Sequence, residues 1–182
     1  SGPGRWMMSD FLTALAQQRR KFLDGLDANE GDINLDIFED FYPDQAHFVF
    51  ELLQNAEDAQ ASEVTFTLRR DGCLFEHDGK RLFSELDVKS ITGIHNSTKK
   101  DQSADQIGKF GVGFKSVFVY TISPEITSGE FSFRISRLVM PEPISRPDID
   151  RTATRFWLPF NNPKKPREEA FAEVARGLRD LA

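Results

Sequence analysis

Three oxygen-bearing side chains stand at helical spacing in the segment ELLQNAEDA, which begins at Glu51. Glu51, Asn55 and Asp58 follow one another at i, i+4 and i+7, so a helix places them on one face. A carboxylate can take a proton from water, and a carboxamide oxygen can bind a hard cation such as Mg²⁺. Burying such a stripe beside Phe48 and Leu52 costs free energy unless the polar groups find partners. The spacing therefore predicts either a polar ligand site or an ordinary solvated helix face.

A second pattern with binding chemistry is the segment GKFGVGFKS, which follows a long polar stretch. Gly108, Gly111 and Gly113 stand at the spacing G-x-x-G-x-G before an apolar run. Glycine allows close backbone approach, and free N–H groups at the start of a helix attract an anion. Lys109 or Lys115 could add positive charge. The spacing matches neither the Walker A pattern nor the dinucleotide fingerprint, so it predicts an anion-binding turn or a plain hairpin turn.

The composition excludes several classes of function. The chain has 182 residues, a length that suits one domain with a sizeable core, and its net charge is −6. Nucleic-acid binding is not indicated, because no basic stripe with interleaved aromatic residues occurs. The single cysteine, Cys73, excludes an internal disulfide and fits a reducing, cytoplasmic environment. No stretch is apolar and long enough to span a membrane, so no membrane partner is expected.

Hydrophobic periodicity predicts helices over residues 10–26, 42–60, 83–92 and 166–181. Strands are predicted over residues 63–69, 73–76 and 154–160, with two more around the Ser128-Gly129 turn within residues 125–135. A turn or short helix is expected at 34–41, a long polar loop at 93–107 and irregular chain at 141–147. These elements predict an α+β domain, a two-layer α/β sandwich whose mixed, mostly antiparallel sheet carries helices on one face. Residues 1–9 are expected to be a tag remnant or a disordered N-terminus, and residues 10–182 to form one domain.

Taken together, the patterns resemble the boxes of the Bergerat-fold ATPases, also called the GHKL superfamily. That superfamily includes gyrase B subunits, large heat-shock chaperones, sensor histidine kinases and MutL. Residues 51–59 resemble its N box, residues 108–114 its glycine box, residues 97–99 the preceding lid segment and Ala153-Thr154 its last box. The four boxes occur in the expected order within residues 42–160. The segment FYPDQAHF before ELLQNA, and the later HDGK, are typical of the sacsin-type ATP-binding domains within the superfamily.

The resemblance implies a site for ATP or ADP together with Mg²⁺. Glu51 would be the general base, Asn55 the side-chain ligand of Mg²⁺, and Asp58 an acceptor that helps to order water near the nucleotide. Thr154 would help to hold adenine. The glycine box and the lid, about residues 93–113, would meet the phosphates. Their residues are Ser97, Thr98, Lys99, Gly108, Lys109, Phe110, Gly111, Val112, Gly113 and Phe114.

The adenine-binding box departs from the pattern of the superfamily. That box normally reads Asp-x-Gly-x-Gly, and its aspartate accepts a hydrogen bond from the adenine amino group. Here the sequence reads His77-Asp78-Gly79-Lys80-Arg81, so strict spacing puts His77 at the aspartate position and a shift of one residue puts Asp78 there. We expect Asp78 to contact adenine, because an ionised carboxylate is the better acceptor. An ordinary turn is the alternative for this segment.

The implied function is that of a Mg²⁺-dependent ATPase module, the N-terminal part of a larger sacsin-like or chaperone-like protein. Hydrolysis by this segment is expected to be slow, because the superfamily usually completes the site with a lysine from a following domain. Its expected partners are the nucleotide and those following domains, to which the helix at 166–181 would connect. A homodimer could form through the same domains. Two alternatives stay open: a nucleotide-gated interaction module with little hydrolysis, and a histidine-kinase catalytic domain.

Overall fold

The computed structural model of the chain describes residues 3–28, 46–93, 110 and 112–181. Within these ranges the α-helices are α1 (Pro3–Ala28), α2 (Phe48–Asp58), α3 (Glu85–Ile91) and α4 (Arg167–Arg179), and a 3₁₀ helix covers Val112–Val119. Six strands are β1 (Val64–Arg69), β2 (Gly72–His77), β3 (Glu125–Ser128), β4 (Phe131–Ser136), β5 (Met140–Pro143) and β6 (Thr154–Pro159). The described part is therefore the two-layer α/β sandwich that the sequence predicts.

The six strands form one sheet in the order β1-β2-β6-β3-β4-β5, and every neighbouring pair is antiparallel. Strand β6 comes last of the six in the sequence but lies between β2 and β3, so it joins the β1–β2 hairpin to strands β3, β4 and β5. This insertion places His77, at the end of β2, opposite Thr154 at the start of β6. It also places Ser128 of β3 opposite Thr154 from the other side.

The two faces of the sheet differ in chemistry because side chains alternate along each strand. Along β6, Thr154, Phe156 and Leu158 are buried, whereas Arg155 and Trp157 point the other way and are half-buried. Phe156 is the centre of an aromatic cluster, with four ring centroids 5.9–6.0 Å from its own. These rings belong to Phe75, Phe83, Phe110 and Phe114. Phe110 and Phe114 of the glycine pattern are thus anchored in the core, which fixes the backbone at these two residues.

Helix α3 begins with reciprocal capping by its own side chains. The Ser84 hydroxyl accepts from the Asp87 amide at 3.3 Å, and Asp87 Oδ2 accepts from the Ser84 amide at 2.8 Å. Such a capping box satisfies two amides that a helix start leaves unpaired. Near the end of the helix, Ser90 Oγ donates to the Phe110 carbonyl oxygen at 2.9 Å. Helix α3 is therefore held against the segment that leads into the 3₁₀ helix.

Some predicted boundaries are wrong. Helix α1 begins at Pro3 rather than at residue 10, and α2 begins only at Phe48 because residues 46 and 47 form a turn. Residues 140–143 form the edge strand β5 where irregular chain was expected. Pro141 and Pro143 concealed this strand, but an edge strand tolerates proline because one of its sides needs no amide donor. The element predicted at 34–41 lies outside the described residues.

A steric prediction follows from the close packing of Trp157 over β2. A Cβ added at Gly72 would lie 2.5 Å from Trp157 Cη2 and 2.7 Å from the Leu158 carbonyl oxygen. Gly72→Ala should therefore destabilise the protein by about 1–3 kcal/mol, measured by urea or thermal unfolding. The matched control is Gly25→Ala in α1, where an added Cβ meets nothing within 4 Å and helix propensity favours alanine. A Gly72→Ala protein as stable as the parent would contradict the packing.

Candidate functional site

The polar stripe of α2 lies where the sequence predicts a helix, beside buried apolar side chains. Phe48, Leu52 and Ala59 are in the core, while Glu51 and Asp58 are half-buried and Asn55 is only 6% exposed. Asp58 accepts from Gln54 Nε2 at 3.3 Å on the outer side. Within the described ranges, no residue hydrogen-bonds the Asn55 carboxamide. The carboxamide is not one of the fully buried polar groups that lack a partner, so a ligand or water can reach it.

Glu51 and Gly113 bring the polar stripe and the glycine pattern into direct contact. A Cβ added at Gly113 would collide with Glu51 Oε1 and would lie 2.7 Å from Glu51 Cγ. Only glycine lets the backbone of the 3₁₀ helix approach the carboxylate this closely. The two patterns, which stand far apart in the sequence, therefore meet at Glu51 and Gly113.

The other end of α2 packs on the end of β2. A Cβ added at Gly79 would lie 2.7 Å from Ala59 Cβ, so the chain after β2 passes directly beneath the last turn of the helix. His77 lies at this place, opposite Thr154 in the sheet. Ala59 is about 12 Å further along the helix axis than Glu51. Glu51 and the chain segment that contains His77 thus lie at opposite ends of one helix.

His77 is buried, with 3% of its surface exposed. Its Nδ1 accepts a hydrogen bond from the Gly79 amide at 3.0 Å. Burial lowers the pKa of His77, and the neighbouring Asp78 carboxylate opposes this shift only in part. A neutral imidazole that accepts at Nδ1 carries its proton on Nε2. This Nε2 is buried and has no hydrogen-bond partner in the described part of the chain.

Asp78 is exposed and holds a turn of the backbone. Its Oδ1 accepts from the Glu63 amide at 2.9 Å and from the Ser62 amide at 2.7 Å. These two hydrogen bonds, first that of Glu63 and then that of Ser62, lower the pKa of Asp78. The carboxylate therefore ties the end of β2 to the chain that enters β1. Of the two residues proposed for the adenine contact, His77 shares the buried face with Thr154, and Asp78 does not.

Thr154 is 1% exposed and belongs to a short hydrogen-bond chain. Its Oγ1 lies 2.7 Å from Ser128 Oγ, which in turn accepts from the Phe83 amide at 3.0 Å. The Ser128 hydroxyl was not predicted as a site residue. The signal that could have found it is its place before the Ser128-Gly129 turn, on the strand that pairs with Thr154.

Lys115 does not offer its charge to an anion. Its Nζ donates to the carbonyl oxygens of Ile91 and Leu138, both at 2.9 Å. Burial, and to a lesser extent the charge of Arg19, lowers the pKa of Lys115 to about 7. The lysine therefore braces the end of α3, the 3₁₀ helix and the turn after β4. The suggestion that Lys115 adds charge at the glycine pattern is wrong.

Six of the predicted site residues lie outside the described ranges. They are Ser97, Thr98, Lys99, Gly108, Lys109 and Gly111. Val112 is described as the first residue of the 3₁₀ helix, and Gly113 follows it against Glu51. Phe110 and Phe114 place their rings in the aromatic core, so only their backbone could serve a ligand.

A cleft of about 200 Å³ lies on the opposite face of the sheet. Its lining includes Arg69, Arg155, Trp157, Glu125 and Arg146. Arg146 is paired with Glu125, and the Arg69 guanidinium lies 6.0 Å from the centre of the Trp157 ring. Among the described residues, neither Arg69 nor Arg155 forms an ion pair. The sequence analysis missed this cleft, although the alternation of Arg155 and Trp157 with buried residues could have indicated it.

Other residue types add no further reactive group to the described ranges. Cys73 is buried in β2, and burial raises the pKa of its thiol to about 12, so it is a core residue. No group of three or more His, Cys, Asp or Glu side chains could hold a metal ion among the described residues. None of the helices described combines the length and the apolar character that a membrane span requires.

The fold and the polar helix define an α/β sandwich domain with a candidate ligand site between α2 and the sheet. A similar fold occurs in the crystal structure of the N-terminal domain of a DNA repair protein. The TM-score is 0.52 at 12% identity, and the match covers 81% of this chain and 46% of that chain. At this identity the likeness concerns the fold alone.

The chain belongs to the Sacsin domain family, whose profile matches residues 35–137. It is 36% identical over 103 residues to Protein NO VEIN of Arabidopsis thaliana, and this match covers 54% of this chain and 4% of that protein. It is 37% identical over 108 residues to human Sacsin, and this match covers 50% of this chain and 2% of that protein. The chain thus corresponds to a small part of the length of both relatives.

Proposed function

We propose that the chain is a nucleotide-binding module that binds ATP with Mg²⁺ between α2 and the sheet and hydrolyses it. The carrying observation is the buried Nε2–H of His77, which has no hydrogen-bond partner in the described part of the chain. Asn55, which is 6% exposed, and Glu51, which meets Gly113, lie on the helix whose last turn packs on the chain just after His77. Such groups favour a long ligand with phosphates near Glu51 and a base near His77. Membership of the Sacsin domain family supports a site of the type that the resemblance implies.

In this proposal the residues have separate roles. The Asn55 carboxamide oxygen would be the one protein ligand of Mg²⁺, which neutralises phosphate charge when it is bound. Glu51 would accept a proton from the water that attacks the terminal phosphorus, which yields ADP and phosphate. Gly113 would let backbone amides reach the phosphates, and Thr154 would support the base through its hydroxyl. Asp58 would help to order water at the rim of the site.

A nucleotide-gated interaction module with little hydrolysis is the second candidate. In the adenine-binding box, His77 stands where the superfamily has an aspartate. This replacement favours the second candidate, because it changes the binding of adenine and leaves Glu51 in place. A carboxylate at position 51 favours hydrolysis instead, because binding alone does not require a base. Both relatives are much longer than the segment that matches this chain. In a protein of that size, nucleotide binding or hydrolysis could act on a homodimer or on neighbouring domains.

Asn55→Ala should weaken the binding of ATP in the presence of Mg²⁺ by about 10- to 100-fold, the range typical when a metal site loses a supporting group. In the absence of Mg²⁺ the variant and the parent should bind ATP with similar affinity. Calorimetric titration with and without Mg²⁺ measures both effects. Gln17→Ala is the control, because Gln17 is an exposed carboxamide on α1 and none of the site residues lies on that helix.

Two results would contradict the proposal. One is the absence of ATP and ADP binding by the folded parent protein. The other is an Asn55→Ala protein that keeps the full Mg²⁺ dependence of the parent. Circular dichroism of each variant shows whether a loss of binding reflects a loss of fold.

A further inference from the structure

We propose that His77 reads the base by donating its Nε2–H to N1 of adenine, so that this site recognises a ring nitrogen instead of the exocyclic amine. The inference rests on the proposed function, because it takes the base to lie at the His77 end of α2. It concerns the direction of one hydrogen bond, which an aspartate at this position would make in the opposite sense. An aspartate accepts from the amine, whereas His77 is built to donate.

The direction follows from the hydrogen bond at the other ring nitrogen. The Gly79 N–H donates to Nδ1 at 3.0 Å, and the amide nitrogen itself cannot accept a hydrogen bond. The opposite tautomer would set two N–H groups against each other at this distance. The proton of the neutral imidazole is therefore held on Nε2. Gly79 itself is fixed, since an added Cβ would meet both Ala59 and His77 within 3 Å.

The Nε2–H group is a donor that lacks an acceptor. It is buried, and no partner for it exists in the described part of the chain. The surroundings of the ring are mostly apolar: Phe75 lies edge-on at 5.8 Å between ring centroids, and Phe75 in turn packs on Phe156. Among the described residues, Asp78 is the charged neighbour that influences the ring, and it directs its carboxylate to the Ser62 and Glu63 amides. A ligand acceptor is therefore the partner that best completes the site.

The chemistry of adenine then selects the contacted atom. The amine at C6 has only donors to offer, so it would face His77 donor to donor. Ring acceptors flank that amine on both sides, N1 and N7, and we assign the contact to N1, which an analogue without N1 tests directly. The Thr154 hydroxyl can donate or accept, because its bond to Ser128 Oγ works in either direction, and it can therefore adapt to the amine or to a water. His77 cannot adapt without losing its bond to Gly79.

The test compares ligands that differ from ATP by one group each. In 1-deaza-ATP a C–H replaces N1, and in purine riboside triphosphate the amine is absent while N1 is kept. Calorimetric titration of the parent protein with Mg²⁺ should show a loss of about tenfold or more for 1-deaza-ATP, because the buried donor loses its acceptor. The loss for purine riboside triphosphate should stay within about threefold, because no described group depends on the amine.

A second variant reverses the direction of the contact. His77→Asp should regain dependence on the amine, with ATP bound about tenfold more tightly than purine riboside triphosphate. If that variant does not fold, the ligand series on the parent protein still decides the question. A readout that a purely structural histidine would not move is the proton NMR signal of the His77 Nε2–H, which should shift with ATP and not with 1-deaza-ATP.

The outcomes separate this inference from the proposed function. No binding of any of the three nucleotides would overturn both. Binding of ATP with a large loss on removal of the amine, or with no loss for either analogue, would overturn the contact between His77 and N1 and leave the nucleotide site in place. A loss confined to 1-deaza-ATP supports both.

Discussion

Glutamine in place of Glu51 should lower the rate of ATP hydrolysis by about 10²- to 10⁴-fold, the usual contribution of a general base. Glutamine keeps the size and the contact with Gly113 but cannot take a proton from water. The affinity for ATP with Mg²⁺ should stay within about threefold of the parent, because the base acts only in the transition state. Single-turnover assays with protein in excess over ATP measure the rate, and calorimetry measures the affinity.

The control for this substitution is Glu57→Gln, an exposed carboxylate on the same helix. It should leave both the rate and the affinity unchanged. Equal rates in the Glu51→Gln protein and in the parent, with nucleotide still bound, would show that Glu51 is not a base. The second candidate, a nucleotide-gated module with little hydrolysis, would then be the better description.

The free energy of unfolding should rise between about pH 7 and pH 10.5 because of Lys115. The pKa of this lysine is lowered from its ordinary 10.5 to about 7 by burial and, secondarily, by Arg19. In that interval the unfolded chain binds more protons than the folded protein, so a higher pH favours the folded state. The contribution is up to about 1.4 kcal/mol per pH unit. Below about pH 7 the lysine is protonated in both states, and this contribution to the slope disappears.

Lys115→Met isolates the effect, because it removes the titrating group and keeps most of the apolar stem. The difference in unfolding free energy between parent and variant, measured by urea unfolding from pH 6 to pH 10, should grow with pH. The Ile91 and Leu138 carbonyl oxygens lose their donor in this variant, so it should be less stable than the parent at the alkaline end. Lys80→Met, at an exposed position, should show no such trend. Parallel pH profiles for parent and Lys115→Met would refute the role of the buried amine.

Most of the secondary structure could be predicted from the sequence because it depends on local patterns. Alternation predicted β1 and β6, and helical spacing predicted α2 and α4, all confirmed to within a few residues except at the start of α2. Strand β5 could not be predicted, since its two prolines look unfavourable until the strand is known to lie at an edge. The order of the strands also lay beyond the sequence, because β6 pairs with strands that are distant in the chain.

The candidate site shows the same division. The stripe of Glu51 and Asn55 and the need for glycine at position 113 could be read from spacing. The different hydrogen bonds of His77 and Asp78 could not, because the two residues are adjacent in the sequence and their partners depend on the fold. Asp78 binds two amides of the turn before β1, and no spacing rule indicates that contact. The burial of Lys115 was missed for a related reason, since its partners are carbonyl oxygens from two distant turns.

The central claim is that a nucleotide binds between α2 and the sheet, and amide chemical-shift mapping tests it most directly. Titration of ¹⁵N-labelled protein with ATP and Mg²⁺ should shift the amide signals of Asn55, Gly79 and Thr154, with none of comparable size on the opposite face. The arginine cleft serves as the internal comparison, because it is an alternative site for an anion. Shifts confined to Arg155 and Trp157 in that cleft, or no shifts at all, would contradict the claim.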